Sequence, residues 1–254
     1  MNEFSTILES QIKLIGIDLN ESQIDVFKAF YEDLVEKNKV MNLTAITDMH
    51  EVINKHFADS LMGWKLISKY VDHVKSDDTY NAHNKSVKIC DIGTGAGFPG
   101  IPLAIVFPKL EFTLVDSLNK RINFINEEAE KLNLNNVNGV HGRTEDLAHD
   151  QLYREQFDIL VSRAVANLST LSEYALPFVK VDGIFIAYKS VDTDEEISDS
   201  KKAIKTMGGE LVDIIDMKLP ESDIPRRLVV IKKKSETPKK YPRQAGTPSK
   251  KPIH

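Results

Sequence analysis

The sequence predicts an α/β fold: a mostly parallel sheet covered by helices on both faces and ended by an antiparallel pair. Three observations carry this. From Val87 onward, short apolar runs alternate with helical patterns, as they do where crossover helices connect parallel strands. The first run leads straight into DIGTGAGFPG, with glycine at 93, 95, 97 and 100. Finally, ELVDIIDMKL (210–219) and RRLVVIKKK (226–234) are separated only by PESDIP, too short for a crossover helix, so this pair must be antiparallel.

The elements follow in order. Residues 1 to about 75 read as a helical extension. Phe4, Ile7, Leu8, Ile12 and Ile15 recur at helical spacing, and so do Ile24, Phe27, Phe30, Tyr31, Leu34 and Val35 behind Asn20, a suitable N-cap. A third helix should start near Asp48 with Ile53, Phe57, Leu61 and Trp64 on one face. Residues 76–86 are polar and aperiodic and read as a linker. The domain proper is assigned to 87–234. Its strands are expected at VKICDI (87–92), EFTLVD (111–116), VNGVHG (137–142), FDILVSR (157–163) and GIFIAYK (183–189), followed by the antiparallel pair. Among the intervening helices, one should place Leu118, Ile122, Ile125, Ala129 and Leu132 inward. Another should bury Leu168, Leu171, Tyr174, Ala175 and Phe178. A third, near 192–208, leads with acids and ends in lysines and Gly208-Gly209, which suits the helix dipole. Residues 235–254 form a basic tail.

Bulk properties narrow the class. At 254 residues, with 41% hydrophobic and 28% charged residues, the chain can bury a core of useful size. No apolar stretch approaches the ~18 residues of a membrane span, and the N-terminus lacks a signal-peptide pattern. A cytoplasmic protein without a membrane partner, acting as a monomer, is expected. The single cysteine, Cys90, lies in a strand pattern and reads as a packing thiol. The histidines show no metal-ligand spacing with cysteine, so no metal is expected. Residues 226–254 hold ten Lys/Arg against one acid, on a chain whose net charge is −5. A basic end on an acidic body suggests a polyanionic partner.

The glycine loop fits two templates. Read from Gly95 it is G-x-G-x-x-G, a dinucleotide pattern; read from Asp91 it is an acid followed by G-x-G-x-G. Asp116, 23 residues beyond Gly93, suits a carboxylate that accepts from ribose hydroxyls, which either cofactor would offer. Asp91 would repel a pyrophosphate but could orient a cationic methionyl group. Pro99 and Pro102 reduce the N–H groups open to phosphate at the helix start. The five-plus-two strand pattern is that of the seven-stranded, Rossmann-like methyltransferase sheet, with an antiparallel last strand. Together these favour S-adenosyl-L-methionine. Thr144 and Glu145 follow the third strand, where they can border an adenine; they also suit a helix start.

The runs DIGTGAGFPGIPLAIVFP, LVDSLNKRINFI, GRTEDL, SRAVANLSTLSEYALP and YPRQAGTPSKKPI, with NKVMNLTAI and HFADSL upstream, resemble in the same order the glucose-inhibited division protein B family. The similarity runs from about residue 35 to the C-terminus. It implies a methyltransferase acting on N7 of a guanine in small-subunit (16S) ribosomal RNA or its ribonucleoprotein particle. It further implies cofactor contacts at Gly93, Phe98, Asp116, Thr144, Glu145 and Arg163, with Gly95 and Gly97 completing the loop. Two positions depart from the family pattern: Lys189-Ser190 replaces a common Lys-Gly, and Gln244 stands where a lysine is usual.

Such a reaction is an in-line displacement at a sulfonium methyl, and guanine N7 carries no proton, so no general base is required. Arg163, at the end of the fourth strand, has two readings: contact with the methionyl carboxylate or with RNA phosphate. Candidate RNA contacts are His56, Asp59 and Ser60 on one helix stripe, Lys189, Arg226 and Arg227 around the sheet end, and Lys239, Lys240 and Arg243 in the tail. The tail reads either as an extended strap on phosphate or as a segment packed back on the domain. Two rival functions stand beside this one: an NAD-dependent oxidoreductase and a non-catalytic RNA or ribosome-assembly module.

Overall fold

The structure is a computed structural model that describes residues 2–76 and 86–254. Residues 77–85, most of the expected linker, lie outside the described residues.

The strands are β1 (Lys88–Ile92), β2 (Glu111–Asp116), β3 (Val137–His141), β4 (Phe157–Arg163), β5 (Val179–Lys189), β6 (Gly209–Lys218) and β7 (Pro225–Lys233). They form one sheet in the order β3-β2-β1-β4-β5-β7-β6. The first five pair in parallel, and β7 runs antiparallel to both β5 and β6. The chain order reverses between β1 and β4, so their carboxyl ends open a crevice where ligands bind in such sheets. β5 begins at Val179, four residues before the expected Gly183. The reason is local: a 3-10 turn, Leu176–Phe178, delivers Val179 opposite Phe157, and the register shifts before Ile159 meets Ile184.

Strand periodicity sorts the core. Ile89, Ile159 and Val161 point to one face, where they join Leu8, Ile12, Phe27, Phe30 and Phe57 from the N-terminal helices. Cys90, Ile92 and Leu160 point to the other, against Leu168, Leu171, Phe178, Ile197 and Ile204. Cys90 is fully buried there. The N-terminal helices thus cover one face of the sheet.

The first two helices, α1 (Glu3–Leu14) and α2 (Glu21–Met41), carry their caps in the sequence. Asn2 caps α1, and Asn20 with Gln23 forms a reciprocal capping box on α2. Asn42 ends α2 at φ 52. The third helix starts at the Asp48 cap as expected, but runs Met49–Val52, a π-turn over Ile53–Ala58, then Asp59–Leu61. It breaks at Gly63, so Trp64 opens a separate helix, Trp64–Lys75, and donates its indole N–H to the Ile15 carbonyl at 2.8 Å. A side chain at 63 would strike the Tyr188 hydroxyl.

Two helical expectations need correction. Leu118 does not join the inward stripe; it is 44% exposed, because it is the N-cap of helix Asn119–Lys131 and faces a cavity. In helix Asp194–Thr206, two of the leading acids are more than dipole residues. Asp194 pairs with Arg227, and Glu196 with Lys189 at 2.6 Å.

The tail packs back on the domain. Arg154 donates to the carbonyls of Thr237 and Tyr241 at 2.7 and 2.9 Å, and the buried Lys233 ammonium donates to Thr237 Oγ1 at 2.7 Å. Further along, Arg243 grips the buried carboxylate of Glu173, with Nη2 2.7 Å from Oε2.

Candidate active site

The glycine loop follows β1 because Asp91 gathers it. Asp91 is fully buried, and its Oδ2 accepts from Thr94 Oγ1 at 2.7 Å and from the Gly100 amide at 2.9 Å. Its Oδ1 has no partner among the described residues. Burial pushes this carboxyl up to about 7. Asp91 lines neither of the cavities described below, and what it visibly does is tie the loop, as the post around which the glycines turn. Gly93 has φ +66 and lies against Val165, which a side chain there would strike. Gly93 lines the first of the cavities described below, whose wall does not include Gly95 and Gly97; these take positive φ in the turn that follows.

Two cavities open at the carboxyl end of the sheet. The first, about 560 Å³, is lined by Gly93, Asp116, Arg121, Thr144, Glu145, Tyr174 and Gly246 among others. Asp116 ends β2 with its carboxylate held by the amides of Gly95 and Leu118 (3.0 and 2.9 Å) and by Arg121 at 3.2 Å. It is therefore fixed in place as an acceptor on the cavity wall. Thr144 and Glu145 are the first residues of the short helix Thr144–Leu147, whose N-cap is Arg143, so a helix start and a cavity wall coincide.

The second cavity, about 510 Å³, is lined by His56, Asp59, Arg163, Tyr188, Lys189, Glu196 and Arg226, with Lys55, Ser190 and Thr193. Ala164 belongs to both walls. It takes φ +57, an uncommon conformation for alanine, just where β4 ends and the two cavities meet.

Arg163 anchors the junction. Its Nη1 donates to Asp59 Oδ2 at 2.9 Å and to the Lys55 carbonyl at 3.2 Å. Its guanidinium lies 5.4 Å from the centre of the Phe98 ring, and His56 stacks on the same ring at 4.6 Å. Phe98 is thus a buried platform that sets the height of both polar groups. Burial, then the Arg163 charge, push the His56 imidazole down to about 4. Its Nε2 lies 2.8 Å from Thr44 Oγ1, and the Nδ1 faces Arg163, which suits the neutral Nε2–H tautomer.

Several of the expected RNA contacts are engaged by other groups of the protein. Ser60 is fully buried and its hydroxyl donates to the His56 carbonyl at 2.5 Å. Asp59 is buried between Arg163 and Arg226, each 2.9 Å away. Arg227 is buried beside Asp216 and Asp194, and Arg243 is committed to Glu173. All four are committed to protein partners; Asp59 nevertheless lines the second cavity, as do His56, Lys189 and Arg226, and Lys239 and Lys240 are exposed. Glu196, Tyr188, Tyr174 and Gly246 are site residues that the sequence did not single out. Only Glu196 had a local signal, the acid seven positions beyond Lys189 at the start of the next helix.

Cations outnumber anions around the second cavity, with Lys55, Arg163, Lys189 and Arg226 set against Asp59 and Glu196. At the helix Gly100–Val106, the amides that would cradle a pyrophosphate are used up. Gly100 donates to Asp91, Ile101 to the Gly97 carbonyl at 2.7 Å, and Pro102 has no N–H.

Residues 23–224 match the GidB family model, described as rRNA small subunit methyltransferase G. The chain is 47% identical over 253 residues to the protein named Ribosomal RNA small subunit methyltransferase G of Lachnoclostridium phytofermentans, covering 100% of this chain and 98% of that one. With the protein of the same name from Acetivibrio thermocellus it shares 49% identity over 238 residues, covering 94% and 92%. With that of Bacillus licheniformis it shares 46% over 253 residues, covering 100% and 98%.

Proposed function

The chain belongs to the rRNA small subunit methyltransferase G family, and from that premise we propose that it methylates N7 of a guanine in small-subunit ribosomal RNA, with S-adenosyl-L-methionine as donor. The observation that carries this reading is the pair of cavities meeting at Ala164. One offers a ribose-type carboxylate and an adenine-type edge; the other has a cationic wall. The second cavity thus suits a nucleotide on a polyanion, and the work belongs in the cytoplasm.

The residues fit the donor. Asp116 takes the ribose hydroxyls, Thr144 and Glu145 the adenine, and Gly93 lets the backbone approach. Bound there, S-adenosyl-L-methionine supplies an electrophilic sulfonium methyl. Arg163 lines the second cavity beside the junction, held by Asp59, the Lys55 carbonyl and His56, and serves there as a fixed cation for a carboxylate or a phosphate.

The second cavity suits an acceptor that brings its own lone pair. Its titratable groups are tied up or shifted from useful values. His56 is held near 4, burial pushes the Tyr188 phenol up, Asp59 is gripped by two arginines, and Glu196 by Lys189. Guanine N7 carries no proton, so the chain's task is to align two bound partners, an effect that reaches ~7–11 kcal/mol in favourable models. The NAD-dependent reading is disfavoured by the spent amides at Gly100 and Ile101.

The test is transfer of labelled methyl groups to small-subunit particles, and to their naked RNA, from cells lacking the gene. Label on a guanine N7 supports the proposal. Cofactor binding without transfer to either substrate favours a non-catalytic assembly module.

A further inference from the structure

The tail does more than cover the domain. Gly246 lines the first cavity, and its amide donates to Glu145 Oε1 at 2.9 Å. The other oxygen of Glu145 lies 3.3 Å from the Thr144 hydroxyl. Gly246 sits at φ +80 with open space where a Cβ would be, so the backbone turn, and not crowding, demands glycine here.

The turn is clamped on both sides. Arg243 donates through its backbone amide, Nε and Nη2 to Glu173, at 2.7 to 3.1 Å, and Glu173 is 1% exposed on helix Leu168–Ala175. Beyond the turn, Thr170 Oγ1 donates to the Pro248 carbonyl at 3.1 Å, and Tyr174 of the same helix lines the first cavity together with Glu145 and Gly246. One helix thus grips the tail and reaches the carboxylate on the cavity wall.

We propose that residues 243–251 form the adenine-end wall of the donor pocket, with the Gly246 amide positioning Glu145 to accept the exocyclic amine, so that the tail sets base specificity in the cofactor. This rests on the donor assignment above. An ionised carboxylate only accepts hydrogen bonds. Held by a backbone donor on one oxygen, it presents the other to an amine and repels a carbonyl at the same place. Gly246 and Arg243 are positioning residues in this arrangement, acting through Glu145.

The test compares S-adenosylhomocysteine with S-inosylhomocysteine, which carries a carbonyl in place of the amine. Titration calorimetry is run on the full chain and on Gly246→Pro and Arg243→Gln. The unaltered protein should prefer the adenosine compound. In Gly246→Pro, which removes the amide donor and also excludes the φ +80 turn, that affinity should fall at least about tenfold, the scale of one hydrogen bond to a charged group, and the preference should shrink toward parity; Arg243→Gln, which keeps the Gly246 amide and loosens only its clamp, should shrink the preference in the same direction by less. A merely structural tail would weaken both compounds alike, and an undiminished preference overturns the proposal. Hydrogen exchange on the unaltered protein gives a second reading. S-adenosylhomocysteine should slow exchange across 243–251 more than S-inosylhomocysteine does, and equal or absent protection overturns the proposal. If neither compound binds the unaltered protein, the donor assignment itself fails and the proposal falls with it.

Discussion

Arg163 and Asp59 meet at 2.9 Å across 104 positions of sequence, joining the end of β4 to an N-terminal helix at the point where the two cavities touch. Arg226 takes the other oxygen of the same carboxylate. Asp59→Asn would leave two arginines sharing a neutral amide. Loss of a buried ionic partner costs about 3 kcal/mol, so urea unfolding should register a drop of that order. Methyl transfer should fall more than cofactor affinity, because Arg226 and Arg163 line the acceptor cavity. Equal loss in both would place Asp59 in the donor site instead.

Asp116 holds the loop and faces the first cavity at once. Asp116→Ala should weaken S-adenosylhomocysteine binding by about 1–3 kcal/mol, the range for a hydrogen bond to a charged group. Asp116→Asn keeps the shape but can no longer accept from two hydroxyls through both oxygens, so it should recover only part of the loss. Unchanged calorimetric affinity in the alanine variant contradicts the ribose role.

Two buried groups should give opposite pH signatures. Asp91 is raised from 3.8 to about 7, so the folded state holds its proton more tightly and stability falls as pH rises between those values. His56 is lowered from 6.5 to about 4, so the unfolded chain takes its proton first and stability falls as pH drops through that interval. Relative to the unaltered protein, Asp91→Asn should lose stability on acidification from pH 6.5 to 4.5, and His56→Gln should gain it. Parallel pH profiles for all three proteins would show that neither group is perturbed as described.

In the tail, the exposed Lys239 and Lys240 differ from the committed Arg243. Replacing both lysines with alanine should weaken RNA binding with little change in thermal stability. If both meet phosphate, the slope of log affinity against log salt should decrease by roughly 1.5 to 2. Filter binding over a salt series checks this, and an unchanged slope removes the two lysines from the RNA interface.

Much of this was legible in the sequence because it is encoded locally. Apolar alternation placed the strands, Asn20 and Asp48 marked helix starts, and the short PESDIP link required an antiparallel pair. Asp116, Thr144 and Glu145 stood out because a cofactor site at strand ends draws on residues that follow each strand. What was not legible depends on distant partners. Nothing near Arg243 reveals that Glu173 waits 70 positions away, and nothing near Arg227 reveals Asp194 and Asp216. Charge alone therefore suggested RNA for both arginines, while the fold gives each an acidic partner within the protein. The burial of Ser60 was hidden for a related reason. Helical spacing put it beside Asp59, but the π-turn before it and the close approach of Tyr188 bury that side of the helix.

The central claim is methylation of N7 on a small-subunit ribosomal guanine. The most direct measurement treats the RNA, after incubation with the protein and S-adenosyl-L-methionine, with borohydride and then aniline, which cleaves the chain at N7-methylguanine. Small-subunit RNA from cells lacking the gene should acquire one new cleavage site, absent when the donor is omitted. Methyl incorporation without a new cleavage site, or cleavage confined to large-subunit RNA, would contradict the account.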